Sequence, residues 1–286
     1  VKTVVLEPSW FDLLTDPRGP ASVVEYRSTT ECIFEHEHIY EWCRAAMASD
    51  YPILQHAGPV IAQPCVIVGA SPELEEFLPE IVRLKNDGAH ICAIKGAHDY
   101  LLEKGIVPDS AVAADPRRDK ASIFARFHFQ RKQQNITYFL ASQMDPATWD
   151  IMRGLRVVIW HPYINERQAN LPEWKGVRRV YGGNTTGLRA ICLQWILGYR
   201  IFHLFGMGSY VLRDRMRVTG ESCYDFDPPF PVCWAGRWWL QTTSLIQQTR
   251  DLLTTLRLCP GIRVEAHGDG PLPHVLRCGK EAGWPV

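Results

Sequence analysis

Short apolar runs alternate with amphipathic stretches along most of this chain, and the alternation predicts its architecture. Residues 65–68 (Cys-Val-Ile-Val) are uninterrupted apolar, the pattern of a strand buried on both faces. Leu74, Phe77, Leu78, Ile81, Val82 and Leu84 then recur at helical spacing, which predicts a helix over 72–87 stopped by Gly88. The same reading predicts strands at 89–94, 110–114, 135–141, 155–160, 177–181, 201–205 and 262–266. It predicts helices at 98–104, 187–197 and 238–258. Residues 209–236 carry prolines and aromatics without a period and read as irregular. Strands separated by helical segments favour a parallel sheet joined by crossovers.

The expected class is therefore α/β: an open, mostly parallel, Rossmann-like sheet with helices on both faces. Ahead of it, residues 31–48 place Ile33, Trp42, Ala45 and Ala46 on one helical face and Glu35, Glu37 and Glu41 on the other. Residues 1–60 are thus expected to form a small helical N-terminal extension, its end a Pro- and Gly-bearing connector, and residues 61–286 the main domain.

Composition narrows the function. The 286 residues carry 31 Lys and Arg against 31 Asp and Glu, a balance that argues against a surface built to coat nucleic acid. No apolar run reaches the roughly 18 residues of a membrane span, and no secretory signal pattern stands at the start, which opens on Val1. Nine cysteines, an odd number without a Cys-x-x-Cys, fit neither a disulfide scaffold nor a zinc site; they suit a reducing, cytoplasmic setting.

The candidate chemistry gathers after the strands. Gly69, Ala70 and Ser71 make a small-residue turn between a strand and a helix start, where backbone N–H groups and a helix end can meet a phosphate; the bland alternative is a tight turn with an ordinary cap. Gly182, Gly183, Asn184, Thr185 and Thr186 form a second such turn, and Gly206 and Ser209 follow another strand. Asp115 lies just past a strand with Pro116 behind it, at the edge where open α/β sheets bind ligands. A carboxylate there can accept a proton, bind a ribose or hold Mg²⁺ on phosphates. His161 follows a strand, and His267 sits in a Gly-rich turn near Asp269, so both are candidate acid–base groups; packing roles are the alternative. Arg213, Arg215 and Arg217, with Lys175, Arg178 and Arg179, are basic clusters able to clamp a phosphate, although solvation is their default. Trp234, Trp238 and Trp239 can stack on a flat ring or simply fill a core. Neither Gly-x-Gly-x-x-Gly, a Walker A loop, His-Glu-x-x-His nor a Ser-centred nucleophile elbow occurs.

Several of these motifs line up with one family. Cys-Val-Ile-Val-Gly-Ala-Ser-Pro-Glu-Leu from Cys65 resembles the opening of the domain shared by archaeal-type 6-hydroxymethylpterin diphosphokinases and motility-associated flagellin glycosyltransferases. Gly-Ile-Val-Pro-Asp-Ser-Ala-Val-Ala-Ala-Asp-Pro from Gly105, and Gly183-Asn-Thr-Thr-Gly-Leu with Leu-Gly-Tyr-Arg-Ile-Phe-His-Leu-Phe-Gly-Met further on, resemble its later segments. The turn from His267 is similar to one in phage-encoded members. The resemblance covers roughly residues 55–275 and implies a fold related to certain bacterial sialyltransferases. Three departures stand out: Ala70 where a second glycine is usual, Lys95-Gly96 where an asparagine is common, and Gly208-Ser209 where an aspartate is expected.

The resemblance implies that 61–286 is a nucleotide-binding transferase domain. One expected activity is glycosyl transfer from a nucleotide-sugar to a hydroxyl. A second is diphosphoryl transfer from ATP with Mg²⁺ to a hydroxymethyl-pterin-like heterocycle, and a third reading is a nucleotide-binding or assembly module without catalysis. Gly69, Ala70, Ser71, Gly182, Gly183, Asn184, Thr185, Thr186, Gly206 and Ser209 are the expected nucleotide contacts. Asp115, His161 and His267 are the expected catalytic groups, with Asp115 the metal ligand if one is used. The acceptor is left open among a protein side chain, a glycan, a pterin and a modified nucleobase.

Overall fold

Apolar runs flanked by helical crossovers produce one eight-stranded parallel sheet. A computed structural model describes residues 36–117, 135–212, 229–234 and 237–281. The sheet strands are β1 (Cys65–Val68), β2 (His90–Ile94), β3 (Ser110–Ala113), β4 (Thr137–Ala141), β5 (Arg156–Pro162), β6 (Arg179–Val180), β7 (Ile201–Phe205) and β10 (Arg263–Ala266). Their spatial order is β10-β7-β1-β2-β3-β4-β5-β6, every pair parallel. β8 (Phe230–Trp234) and β9 (Arg237–Gln241) form a separate antiparallel hairpin.

Alternate residues of each strand feed opposite cores, the consequence of the strand's period of two. On one face Val66, Val68, Ile91, Ala93 and Phe205 pack under a 3₁₀ turn (Pro72–Phe77), α2 (Leu78–Asn86) and α3 (Ala97–Glu103) through Leu74, Ile81 and Leu101. On the other face Cys65, Ile67, Cys92, Phe202 and Leu204 meet α6 (Thr186–Ile196), α7 (Thr243–Arg257) and α8 (Pro271–Glu281). Burying each such Val, Ile or Leu contributes ~1.5–3 kcal/mol, so the central strands carry much of the stability. The short α4 (Ala147–Ile151) and α5 (Glu166–Ala169) flank β5. α1 (His36–Met47) lays Ile39 and Cys43 against Trp174, and its Tyr40 hydroxyl donates to Asn165 Oδ1 at 2.9 Å.

The structure departs from the sequence reading in several places. The segment after Ser71 is a 3₁₀ turn before α2 begins, because Pro72 and Pro79 both lack the N–H that a continuous α-helix would use. Residues 238–258 split into β9 and α7. Trp238, Trp239 and Leu240 are good strand formers, and Thr242 caps α7 by accepting from the Leu245 N–H at 3.4 Å. The predicted irregular stretch contains β8, and α8 follows the His267 turn with Pro271 as its first residue.

Candidate functional site at the carboxyl edge of the sheet

The strand order reverses at β1: from it the chain steps outward through β2 to β6 on one side, while β7 and β10 lie on the other. The turns leaving the carboxyl ends of β1 and β7 border this reversal point, where such sheets usually hold a ligand in a crevice. Two turns meet there. The Ser71 N–H donates to the Gly206 carbonyl at 2.9 Å, and Ser71 Oγ accepts from the Gly208 N–H at 2.9 Å. A Cβ on Gly69 would lie 2.3 Å from the Gly206 carbonyl oxygen, and one on Gly206, whose φ is +62°, 2.4 Å from that of Gly69. Close approach of two backbones thus demands both glycines, and the Ser71 hydroxyl ties the turns together rather than capping a helix. Ala70 packs its methyl on the core beneath α2 and α3.

The first turn of α6 crosses the same crevice. Gly187 lies against Met207 and Ile94, where a Cβ would come within 2.7 Å and 3.6 Å of them. Thr185 caps the helix, its Oγ1 accepting from the Leu188 N–H at 3.4 Å, and Thr186 is buried as the first helical residue. Gly182 and Gly183 pack against Arg189 and Asp251, and Asn184 Nδ2 donates to the Ser244 carbonyl at 3.3 Å. The turn therefore spends much of its side-chain capacity in anchoring itself to α6 and α7.

Beside it, at the ends of β2 and β3, the structure assembles a group that the sequence did not announce. Lys95 follows β2 with a positive φ of +48°, unusual for a side chain of its size. Its Nζ meets Asp115 Oδ2 at 2.7 Å. Arg117 reaches the same carboxylate through Nη2 to Oδ2 at 2.7 Å and Nε to Oδ1 at 2.9 Å. Burial alone raises the Asp115 pKa, but the Arg117 hydrogen bonds and the Lys95 and Arg117 charges outweigh it and hold the carboxyl far below its ordinary value. A carboxylate so stabilised is a poor proton acceptor. Both of its oxygens are taken by cations, so it also fits poorly as a Mg²⁺ ligand.

Glu73 supplies a second acid. Its carboxylate is largely buried in the turn after β1, and neither oxygen makes a well-formed hydrogen bond, although Tyr210 lies within electrostatic reach. Burial, then the charges of Glu76 and Asp269, raise its pKa against the opposing pull of its own backbone N–H and Tyr210. Gly208 makes room for it: a Cβ there would stand 2.8 Å from Glu73 Oε1. Ser209, at φ +62°, is buried; its Oγ accepts from Gln248 Nε2 and its carbonyl from Gln241 Nε2, each at 2.6 Å.

The histidines fall elsewhere. His161 is fully buried, edge-on to Trp174 at 5.1 Å, with both ring nitrogens unpartnered. Burial pushes its pKa down to about 4. His267 does not pair with Asp269, which meets Arg237; its Nε2 instead lies 3.1 Å from His203 Nδ1 on β7. Arg213, Arg215 and Arg217 lie outside the described residues. Lys95, Arg117 and Glu73 went unseen because each earns its place only when separate turns converge. Lys95 directly after a strand was the available signal.

The match to the 6-hydroxymethylpterin diphosphokinase MptE-like family runs over residues 46–209. This chain belongs to that family. The matched segment contains β1 to β7 and every turn of the crevice described above. No curated protein matches the chain. Among solved structures it is similar to the MAf glycosyltransferase of Magnetospirillum magneticum AMB-1, at 21% identity and a TM-score of 0.64 over 83% of this chain. It spans only 37% of that protein's length, so the likeness is one of fold. A mammalian sialyltransferase is also similar, at 12% identity over 94% of this chain and 98% of the other, with TM-scores of 0.40 and, in its complex with Gal-beta-1-3GalNAc-ortho-nitrophenol, 0.36.

Proposed function

We propose that this chain is a nucleotide-dependent transferase that moves a sugar from a nucleotide-sugar to a hydroxyl acceptor without a metal ion. The observation that carries the reading is the Lys95–Asp115–Arg117 group at the carboxyl edge, beside the first turn of α6. In such a transfer the acceptor oxygen bonds to the anomeric carbon as the bond from that carbon to the phosphate oxygen breaks. The departing nucleoside phosphate carries the negative charge. Fixed cations and helix-end N–H groups stabilise that charge where it develops. Asp115 serves by holding Lys95 and Arg117 in place. Glu73, whose pKa burial raises above its ordinary value, takes the acceptor proton.

The family description favours the second reading, ATP- and Mg²⁺-dependent diphosphoryl transfer to a pterin-like heterocycle. A metal bridging the phosphates is central to such chemistry, and Asp115 is already committed to two cations. A thermal-shift panel separates the two. CMP, UDP, GDP and ATP are each compared with Mg²⁺ and with EDTA, since a bound ligand raises the melting temperature by mass action. The sugar-transfer reading expects stabilisation by a nucleoside mono- or diphosphate that survives EDTA. Stabilisation by ATP alone, and only with Mg²⁺, sinks it in favour of the diphosphokinase; no response to any nucleotide sinks both. Once a donor is found, Glu73→Gln is expected to cut turnover ~10²–10⁴-fold with nucleotide binding retained, the span of a lost general base.

A further inference from the structure

On the face of the sheet covered by α2, two strands bring three metal-binding side chains together. β7 and β10 are paired with His203 opposite Glu265, and the alternation of strand side chains carries His267, two residues on, to the same face. His203 Nδ1 stands 3.1 Å from His267 Nε2 and 3.6 Å from Glu265 Oε2, and the three ligand atoms all lie within 4.8 Å of one another. We infer that His203, Glu265 and His267 form a binding site for a divalent transition metal of the zinc class, clamping the edge strand β10 to β7.

The spacing is that of ligands around one ion. Bonds of 2.0–2.1 Å at tetrahedral angles place ligand atoms about 3.3 Å apart. Two imidazoles and one carboxylate are a donor set that suits Zn²⁺ and its neighbours rather than Mg²⁺ or Ca²⁺. The His267 ring is oriented by stacking on Phe205, with ring centroids 4.0 Å apart and 10° between planes, while its backbone N–H donates to the Leu204 carbonyl at 2.9 Å and fixes the chain there. Glu80 and Arg83 of α2 face the cluster already paired at 2.7 Å and add little net charge. Without metal one ring lends its N–H to the other; on binding, that proton moves to the other nitrogen of the same ring. Glu265 is mostly exposed and β10 is an edge strand, which leaves an entry path and a coordination position for water. The clamp would also steady the next residues, where Gly270 packs against the Gly208 carbonyl in the crevice.

Metal binding alone, independent of any transferase activity, tests the site. Tag-free protein stripped with EDTA is titrated with Co²⁺ and followed by its visible absorption, with Zn²⁺ competition and melting temperature as second readouts. One equivalent of Co²⁺ is expected to give a saturable band that Zn²⁺ displaces. His203→Gln and His267→Gln are expected to abolish it. Glu265→Gln is expected to weaken it at least about tenfold, since even outer partners of a metal ligand cost ~10–100-fold. Because Glu265 is exposed, that variant keeps its metal-free melting temperature and guards against mistaking misfolding for ligand loss. Absence of a saturable band, or a band of equal strength in Glu265→Gln and the histidine variants, overturns the site.

Discussion

Asp115 and His161 are both buried titratable groups, and their surroundings drive them in chemically opposite directions. Asp115 accepts four hydrogen bonds, from Lys95, the Arg117 backbone and two guanidinium nitrogens, and stays charged. His161 has no hydrogen-bond partner and stays neutral. The histidine makes stability depend on pH. Its pKa is depressed in the fold and ordinary in the unfolded chain, so the unfolded chain gains the proton first as pH falls. Stability is full above about 6.5 and falls towards about 4, by up to roughly 3 kcal/mol from this residue. Urea denaturation across that window is expected to show a shallower pH slope in His161→Leu than in the parent; an unchanged slope contradicts the burial argument. The Asp115 contribution persists through this window and is lost only below about 3.8, as pH falls towards its depressed folded pKa.

At the scale of elements, the glycines just after β1 and β7 decide how closely the two turns pack. Gly206→Ala meets both a backbone oxygen at 2.4 Å and a left-handed φ, whereas Gly105→Ala at φ +75° meets nothing within 4 Å. The first is expected to cost more than about 3 kcal/mol and the second about 1–2, measured by chemical denaturation. Equal costs would mean that the turns do not pack as described. The strands were legible in the sequence because central parallel strands are apolar throughout, as in Cys65–Val68. The break between β9 and α7 was not, since Trp239 and Leu240 are apolar at a spacing that also suits a helix. What separates the elements is Gln241, buried and hydrogen-bonded to Trp234 and Ser209, a tertiary contact invisible along the chain.

At the scale of the whole molecule, the described residues form a parallel sheet with the candidate site at its carboxyl edge. Asp115 could be placed on that edge from sequence, because it follows an apolar strand. The places of Lys95, Arg117 and Glu73 could not, because the first two depend on β2 and β3 lying side by side and the third on β7 returning beside β1. Gly69 and Gly206, read as room for a phosphate, serve first to let two backbones touch. Among the described residues no helix is long and apolar enough to cross a membrane. Removing one cation tests the edge as a unit. Lys95→Ala leaves Asp115 paired with Arg117 and is expected to fold, but to lose most of the nucleotide-induced rise in melting temperature. The most direct measurement is a crystal structure with the nucleoside phosphate that stabilises the protein in EDTA. The account predicts phosphate oxygens within hydrogen-bonding distance of Lys95 Nζ or the Arg117 guanidinium, with Asp115 still paired to both. Phosphates bound away from these two cations, or joined to Asp115 through a metal ion, would contradict it.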